Sequence, residues 1–384
     1  MSDSFFYPVS RIGIIGGGQL ARMLTLKAKQ MGFYVAVLDP TPNSPAGQIA
    51  DHELVGHFYD ADKLHELAAS CDVTTYDIEH IDTDALKQLH RAGRRLIPSP
   101  HLLDIIQDKL TQKSVLKRHG LPVPRFESMV APDPHAFETF GYPLVQKARR
   151  GGYDGRGVAV LRSAVDFGLA LQVDSLIEEC VDLDKELAVM VARSQDGEVQ
   201  SYPVTEMLFN QDGNILDYLL APAQISEKLS EAAQSLAIQS VEALQGVGVF
   251  GVELFLSKSG ELFVNEIAPR PHNSGHYTIE ACVTSQFEQH LRAITGLPLG
   301  STGLLRPAVM INLLGEPGFS GPPLIDGLPS ALAIPGVSFH LYGKAETRPL
   351  RKMGHVTIVD DSLDAALSKA HRIKDIVKIK GRQT

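Results

Sequence analysis

The chain has 384 residues, 44% hydrophobic and 21% charged, with a formal net charge of −9; this is the make-up of a globular protein with room for two or three domains. The negative balance argues against a broad nucleic-acid footprint, so an anionic ligand has to be met by local basic clusters: Lys147 to Arg150 with Arg156, Arg270, and Lys344 with Arg351 and Lys352. No apolar run reaches the roughly 20 residues of a membrane span, MSDSFFYPVSR lacks a secretory pattern, and Cys71, Cys180 and Cys282 are too few and too scattered for a disulfide framework or a paired metal site, so a cytoplasmic protein with reduced thiols is expected.

From residue 11, strand and helix patterns alternate. RIGIIG predicts a short buried strand, QLARMLTLKAKQMG a helix closed by Gly32, YVAVLD a second strand, and ADKLHELAAS a helix. DVTTYDIE reads as a third strand, DALKQLHRAG as a helix and RRLIP as a fourth strand. That order specifies a parallel sheet with helices on both faces. PHLLDIIQDKLTQKSVLKRHG predicts a helical connector, which LPVP stops. A smaller unit follows, mixing strands with the glycine-rich segment 151–157. Beyond it come an amphipathic helix near Glu227 to Leu244, a strand pair turning at Ser257 to Gly260, strands in RPAVMINLLG, SFHLYG and GHVTIVD, and a helix in SLDAALSKAHRI. The chain carries no internal repeat or low-complexity tract.

Five stretches carry chemistry. IIGGGQLA sets Gly16, Gly18 and Ala21 between a strand and a helix, with Asp39 ending the next strand. That matches the dinucleotide fingerprint, in which an acidic residue about 20 positions on holds a ribose. It is equally the turn that any such junction needs, offering N–H groups to an anion. KARRGGYDGRG, Lys147 to Gly157, surrounds backbone-permissive glycines with Lys147, Arg150 and Arg156, so its amides can approach phosphate oxygens; it lacks the GK[ST] ending of a P-loop.

Glu253 and Glu266 lie on either side of Ser-Lys-Ser-Gly. A two-residue turn at Lys258 and Ser259 sets Glu253 opposite Val264 and makes Glu266 its diagonal neighbour; a three-residue turn removes that alignment. With no basic partner evident, such carboxylates repel unless a cation lies between them, and oxygen-only ligands suit Mg²⁺ shared with nucleotide phosphates. The plainer reading is a wet hairpin face. Glu178 to Val181, followed by Glu186, is an acidic turn taken alone, or a strand edge able to clamp adenine. NEIAPRPHNSGH, Asn265 to His276, crowds Arg270, His272, Asn273 and His276 around Pro269 and Pro271, which is not how a core is built.

Taken in order, GGGQLARM, DKLTQKSVLKRHGLPVP, GGYDGRG and NEIAPRPHNSGH resemble the ATP-grasp superfamily and, within it, the N5-carboxyaminoimidazole ribonucleotide synthetases of purine biosynthesis, from about Ile12 to the last helix. The resemblance implies an α/β protein with an ATP-grasp fold, an N-terminal Rossmann-like (preATP-grasp) parallel-sheet domain that does not use NAD, and a small C-terminal β-rich subdomain. The expected units are a first domain 1–98, a helical connector 99–122, a small lid subdomain 123–183, a larger subdomain with the Mg²⁺ and ATP site 184–300, and the C-terminal part 301–384.

ATP and Mg²⁺ are the implied cofactors. By the resemblance, Lys109 and Lys147 contact ATP phosphates, and the loop of Gly151, Gly152, Tyr153, Asp154, Gly155, Arg156 and Gly157 closes over them. Glu178, Glu179, Cys180 and Val181 hold adenine and Glu186 the ribose; Glu253 and Glu266 carry Mg²⁺, with Asn265 alongside. The ribonucleotide lies between Gln19, Leu20, Glu79 and Tyr153 on one side and Asn273, Lys344, Arg351 and Lys352 on the other. Asp154, Arg156, Arg270, His272 and Asn273 are the implied catalytic groups; Arg270, His272 and Asn273 cradle bicarbonate, and Asp154 or His272 is the base. Where relatives usually have a histidine in a sequence like ENIH, this chain has Glu206-Met-Leu-Phe209-Asn210, so Phe209 or Asn210 takes that place. The implied partners are aminoimidazole ribonucleotide, bicarbonate and ATP in a cytoplasmic homodimer, with neither nucleic acid nor membrane. The competing readings are a formate-dependent glycinamide ribonucleotide transformylase of the same superfamily and an NAD-dependent dehydrogenase.

Overall fold

The structure, a computed structural model, describes residues 10–152, 157–209 and 215–382. The expectations for Tyr153, Asp154, Gly155, Arg156 and Asn210 therefore lie outside the described residues. The first unit runs β1 (Arg11–Ile15), α1 (Gln19–Gln30), β2 (Tyr34–Asp39), β3 (His52–Val55), α2 (Ala61–Ser70), β4 (Val73–Tyr76) and α3 (Thr83–Arg91). Its strands are parallel, in the order β3-β2-β1-β4. The parallel sheet is as the alternating pattern predicts, with one exchange of strands. The fourth strand is β3, four residues of mixed polarity at the sheet edge, where no apolar run marks it. RRLIP contributes a single bridge, Leu96 to Thr74, because Pro98 lacks the N–H to continue a ladder.

The connector is two helices, α4 (Pro100–Ile106) and α5 (Lys109–Arg118). Asp108 divides them by accepting the N–H groups of Leu110 and Thr111 as the N-cap of α5. Next come β5 (Phe126–Met129), α6 (Pro134–Phe140), β6 (Leu144–Ala148), β7 (Val158–Leu161) and β8 (Ser175–Glu179), whose strands form an antiparallel sheet in the order β5-β8-β6-β7.

The larger unit contains β9 (Leu183–Arg193), β10 (Val199–Ser201), β11 (Thr205–Phe209), β12 (Leu216–Ala221), α7 (Glu227–Ala243), β13 (Gly248–Ser257), β14 (Leu262–Ala268), α8 (Thr278–Ala281) and α9 (Gln286–Thr295). It is followed by β15 (Ala308–Leu314), β16 (Pro323–Asp326), α10 (Leu328–Leu332), β17 (Val337–Leu341), β18 (Lys352–Val359), α11 (Leu363–Ile376) and β19 (Lys378–Gly381). One antiparallel sheet, β14-β13-β9-β11-β12-β15-β18-β17 with β10 on β9, runs through both, so the C-terminal strands extend the sheet of the larger unit. Apolar clusters weld the units. Phe287, Leu291 and Ile294 of α9 and Tyr342 share a core with Leu20, Met23 and Leu24 of α1, while Val115 and Leu116 of α5 pack with α7, β9 and β13.

The glycine turn after β1 is occupied by the protein itself. Asp39 accepts the N–H of Gly17 at 2.8 Å and that of Thr41 at 2.8 Å, so both its oxygens are engaged with backbone. The Asp77 carboxylate accepts from Ala21 N–H at the start of α1, 3.0 Å away. A carboxylate in that cradle repels the pyrophosphate that a dinucleotide would place there. Burial raises the Asp77 pKa to about 6. Gly16 adopts φ +103°, and a β-carbon there would overlap the Asp77 carboxylate. Gly16→Ala is therefore expected to lower stability by at least about 2 kcal/mol, read from urea denaturation midpoints.

Candidate active site

A cleft of about 360 Å³ opens between the β5–β8 sheet and the β13–β14 end of the long sheet. Glu253 and Glu266 form its floor. The hairpin joining their strands turns through three residues, with Ser257 N–H bonded to Glu261 O at 2.9 Å and Gly260 at φ +85°. That shifts Leu256 opposite Leu262, and a bulge after Leu254 then leaves Asn265 unpaired and sets Glu253 directly across from Glu266. The diagonal arrangement expected from a two-residue turn is thus corrected to a direct pair, because bulge and longer turn each shift the register by one. The expectation that the pair lacks a basic partner is also corrected. Lys109, at the first turn of α5, lies 2.6 Å from Glu266.

The two carboxylates consequently differ. Burial, then the charges of Glu266 and Glu186, raise the Glu253 pKa to about 7. Burial opposes ionisation of Glu266 too, but the Lys109 ammonium overrides it and holds that carboxyl below its ordinary value. Among the described residues no three or more His, Cys, Asp or Glu side chains are grouped to hold a metal by themselves. A cation here has to complete its shell from other oxygens, as Mg²⁺ does with phosphates and water.

The roof carries a buried charge network. Lys147 on β6 reaches Glu178 at 2.9 Å and Asn265 Oδ1 at 2.8 Å. Lys113, 3.0 Å from the other oxygen of Glu178 and 3.4 Å from the carbonyl of Val264, completes it, and burial lowers its pKa to about 8. Sequence reasoning missed Lys113; its spacing of four from Lys109 on α5, which stacks the two on one helix face, was the available signal. Glu178 is 1% exposed, so its side chain is spent on the two lysines, and what β8 can offer a base is backbone. The Glu179 carboxylate is engaged too, accepting Arg125 N–H at 2.8 Å. Cys180, Val181, Gly152, Phe209 and Glu186 line the cleft, and burial raises the Glu186 pKa. Gly151 and Gly157 flank the undescribed loop, both at positive φ.

The far wall is built from three units. Arg270 follows β14 and lies 3.0 Å from Glu79 of the first domain. His272 has Nδ1 2.9 Å from Ser274 Oγ and Nε2 3.7 Å from Glu253. Asn273 and Lys352 complete the wall. Lys344, Arg351, Gln19 and Leu20 do not line the cleft. Lys344 donates to the carbonyl of Lys352 at 2.7 Å and Arg351 to that of Glu346 at 2.8 Å. Leu20 is core, 8% exposed. Gly343, beside Lys344, accepts from Gln48 at 2.8 Å and abuts Arg22, one turn along α1 from Gln19.

Family models match the chain as an ATP-grasp domain over residues 114–287, a ribonucleotide synthetase preATP-grasp domain over 9–107, and a phosphoribosylaminoimidazole carboxylase C-terminal domain over 308–369. The N5-carboxyaminoimidazole ribonucleotide synthase of Synechococcus elongatus is 45% identical over 91% of this chain and 90% of its own length. This chain belongs to the N5-carboxyaminoimidazole ribonucleotide synthase family. Its fold is that of the family's solved members. The synthetase of Thermotoga maritima superposes with a TM-score of 0.90 at 55% identity, covering 97% of this chain and 100% of that one. The Aspergillus clavatus synthase in complex with ADP and 5-aminoimidazole ribonucleotide gives 0.88 at 36% identity, over 96% and 98%. The ATP-grasp fold with a parallel-sheet preATP-grasp domain is accordingly as the motifs implied. The family's NAD-like fingerprint is a closed structural turn here, held by Asp39 and Asp77.

Glu253 gives the site a pH signature. Its folded pKa, about 7, exceeds the ordinary 4.5, so the folded state holds its proton more tightly than the unfolded chain. The penalty is absent below about pH 4.5, grows as pH rises to about 7, and is constant above. Glu253→Gln is expected to stabilise the ligand-free protein at pH 8, on the order of 2 kcal/mol, with the gain shrinking towards pH 5; chemical denaturation at the two pH values measures it.

Proposed function

We propose that this chain carboxylates 5-aminoimidazole ribonucleotide to N5-carboxyaminoimidazole ribonucleotide in an ATP- and bicarbonate-dependent reaction of purine biosynthesis. The observation that carries the reading is the facing of Glu253 and Glu266 beneath Lys109 and Lys147, with Arg270, His272 and Lys352 at one end of the same cleft. The two cations would receive the phosphates of ATP. The β8 edge from Glu178 to Val181 would hold the adenine through backbone, with Glu186 on the ribose. Glu253 and Glu266, with Asn265, would hold Mg²⁺, and the fit is supported by their chemistry: two opposed carboxylates, one with its pKa raised to about 7 by burial and by the neighbouring carboxylates. When bound, Mg²⁺ would offset charge on the transferring phosphoryl group.

The reaction takes two steps. A bicarbonate oxygen attacks the γ-phosphorus, the bond to the β-phosphate oxygen breaks, and ADP leaves carboxyphosphate behind. The exocyclic amine of the imidazole then bonds to the carboxyl carbon, directly or as released CO₂; the C–O bond to phosphate breaks and the amine gives up a proton. Arg270, 3.0 Å from Glu79, and Asn273 would position bicarbonate, and His272 or Asp154 would take the proton. Asp154 and Arg156, outside the described residues, remain part of the proposed catalytic set, with Tyr153 and Gly155 in the closing loop. Fixed cations aimed at the developing charge carry most of the rate enhancement, about 3 to 4 kcal/mol for one donor. Gln19 and Leu20 with Lys344, Arg351 and Lys352 would flank the ribonucleotide phosphate. The cytoplasmic homodimer in this reading rests on the family resemblance and on free thiols at Cys71, Cys180 and Cys282. No helix among the described residues is long and apolar enough to cross a membrane.

ADP release should require 5-aminoimidazole ribonucleotide together with bicarbonate, and formate should not replace bicarbonate. Formate-supported turnover of a glycinamide substrate would instead make it a transformylase. Glu266→Gln should lower turnover at least about a hundredfold at saturating Mg²⁺ while the fold persists, as circular dichroism would report.

A further inference from the structure

Behind the wall that carries Arg270 and His272 lies a stack of imidazoles that no step above uses. His276, between Gly275 and α8, lies against His355 of β18 with ring centroids 4.6 Å apart and the rings tilted by 30°. His355 stacks on His340, its cross-strand partner on β17, at 4.4 Å and 11°. Phe287 of α9 packs against His276 at 5.9 Å and 28°.

The ring edges are oriented by hydrogen bonds to α9, to α8 and to Tyr342 just beyond β17. Gln286 Nε2 lies 3.1 Å from His276 Nδ1; an amide NH₂ only donates, so Nδ1 accepts and His276 carries its proton on Nε2. The same amide grips the backbone of His272 twice, donating to its carbonyl at 2.8 Å and accepting its N–H at 2.9 Å. His355 Nδ1 is 3.0 Å from the hydroxyl of Tyr342, whose ring is buried in the core that α1 shares with α9. His340 Nε2 is 2.6 Å from Glu280 of α8. Burial, reinforced by neighbouring cationic groups, pushes His276 and His355 well below the usual imidazole range, so the inner rings are neutral.

Two buried imidazoles and a half-buried third are an expensive way to fill space, since apolar side chains would pack there without polar atoms to satisfy. What they add is direction. Lys352 lies three residues before His355 on β18, and its carbonyl holds the Lys344 ammonium at 2.7 Å. We propose that His276, His355 and His340 are positioning residues, a stack that sets Lys352 and Lys344 on the ribonucleotide side in register with Arg270 and His272 on the phosphoryl-transfer side. The inference rests on the function proposed above.

Two substitutions at one position separate ring from hydrogen bond. His355→Asn can keep the bond to Tyr342 but has no ring, whereas His355→Phe keeps the ring alone. His355→Phe should raise KM for 5-aminoimidazole ribonucleotide about tenfold while KM for ATP stays within about twofold, and His355→Asn should recover most of the loss. Equal rises in both constants, or an asparagine variant no better than the phenylalanine one, would overturn the proposal. If His355→Phe does not fold, His340→Phe, at the half-buried end of the stack, is held to the same split between the two constants. The unsubstituted protein is assayed in parallel: its failure to turn over the ribonucleotide would contradict the function, whereas turnover with an unchanged KM in the variants would contradict the stack.

Discussion

Two carboxylates facing each other across adjacent strands, on the floor of a cleft, set the terms for the groups around them. Glu253 and Glu266 are brought opposite by a bulge in β14, and like charges at that separation cannot both ionise cheaply. The structure answers with Lys109 for one and leaves the other near its titration point. In the proposed function a cation and its phosphates would relieve that repulsion, so the ligand-free site would carry the usual price of a binding site kept ready in a folded protein.

The groups above the floor are held as tightly as the floor itself. Lys113 and Lys147 share the carboxylate of Glu178, and Lys147 also reaches Asn265, the residue displaced by the bulge. Roof and floor are therefore tied by charge-assisted bonds in a buried setting, where losing one partner strands another. The far wall is tied through the first domain by Glu79 on Arg270 and through the C-terminal strands by the imidazole stack. With α1, α9 and Tyr342 in one core, the three units present a single cleft.

Local patterns were legible wherever local forces decide. Glycines at strand ends, period-two apolar runs and the Pro-Arg-Pro segment located the parallel sheet, the long hairpin and the wall residues Arg270 to Asn273. The register of Glu253 against Glu266 was not readable, because it depends on a bulge stabilised by Lys147 and its neighbours from another sheet. Edge strand β3 escaped because its residues are half exposed. Lys113 looks in sequence like any helix lysine; only the arrival of Glu178, distant in the chain, buries and pairs it. For the same reason the sequence does not show that the Glu178 carboxylate is committed to two lysines, which leaves its backbone to face a base. The fingerprint at Gly16 stayed ambiguous by itself: its spacing is real, but Asp77, remote in sequence, fills the cradle.

The central claim is that the cleft joins bicarbonate to phosphorus before any carbon reaches the imidazole. Running the reaction with ¹⁸O-labelled bicarbonate, fast enough to limit exchange with water, tests it directly. An oxygen that attacked the γ-phosphorus stays on phosphate when the C–O bond later breaks, so the account predicts label in inorganic phosphate. Unlabelled phosphate from an actively turning-over preparation would contradict it, whatever the identity of the carboxylated product.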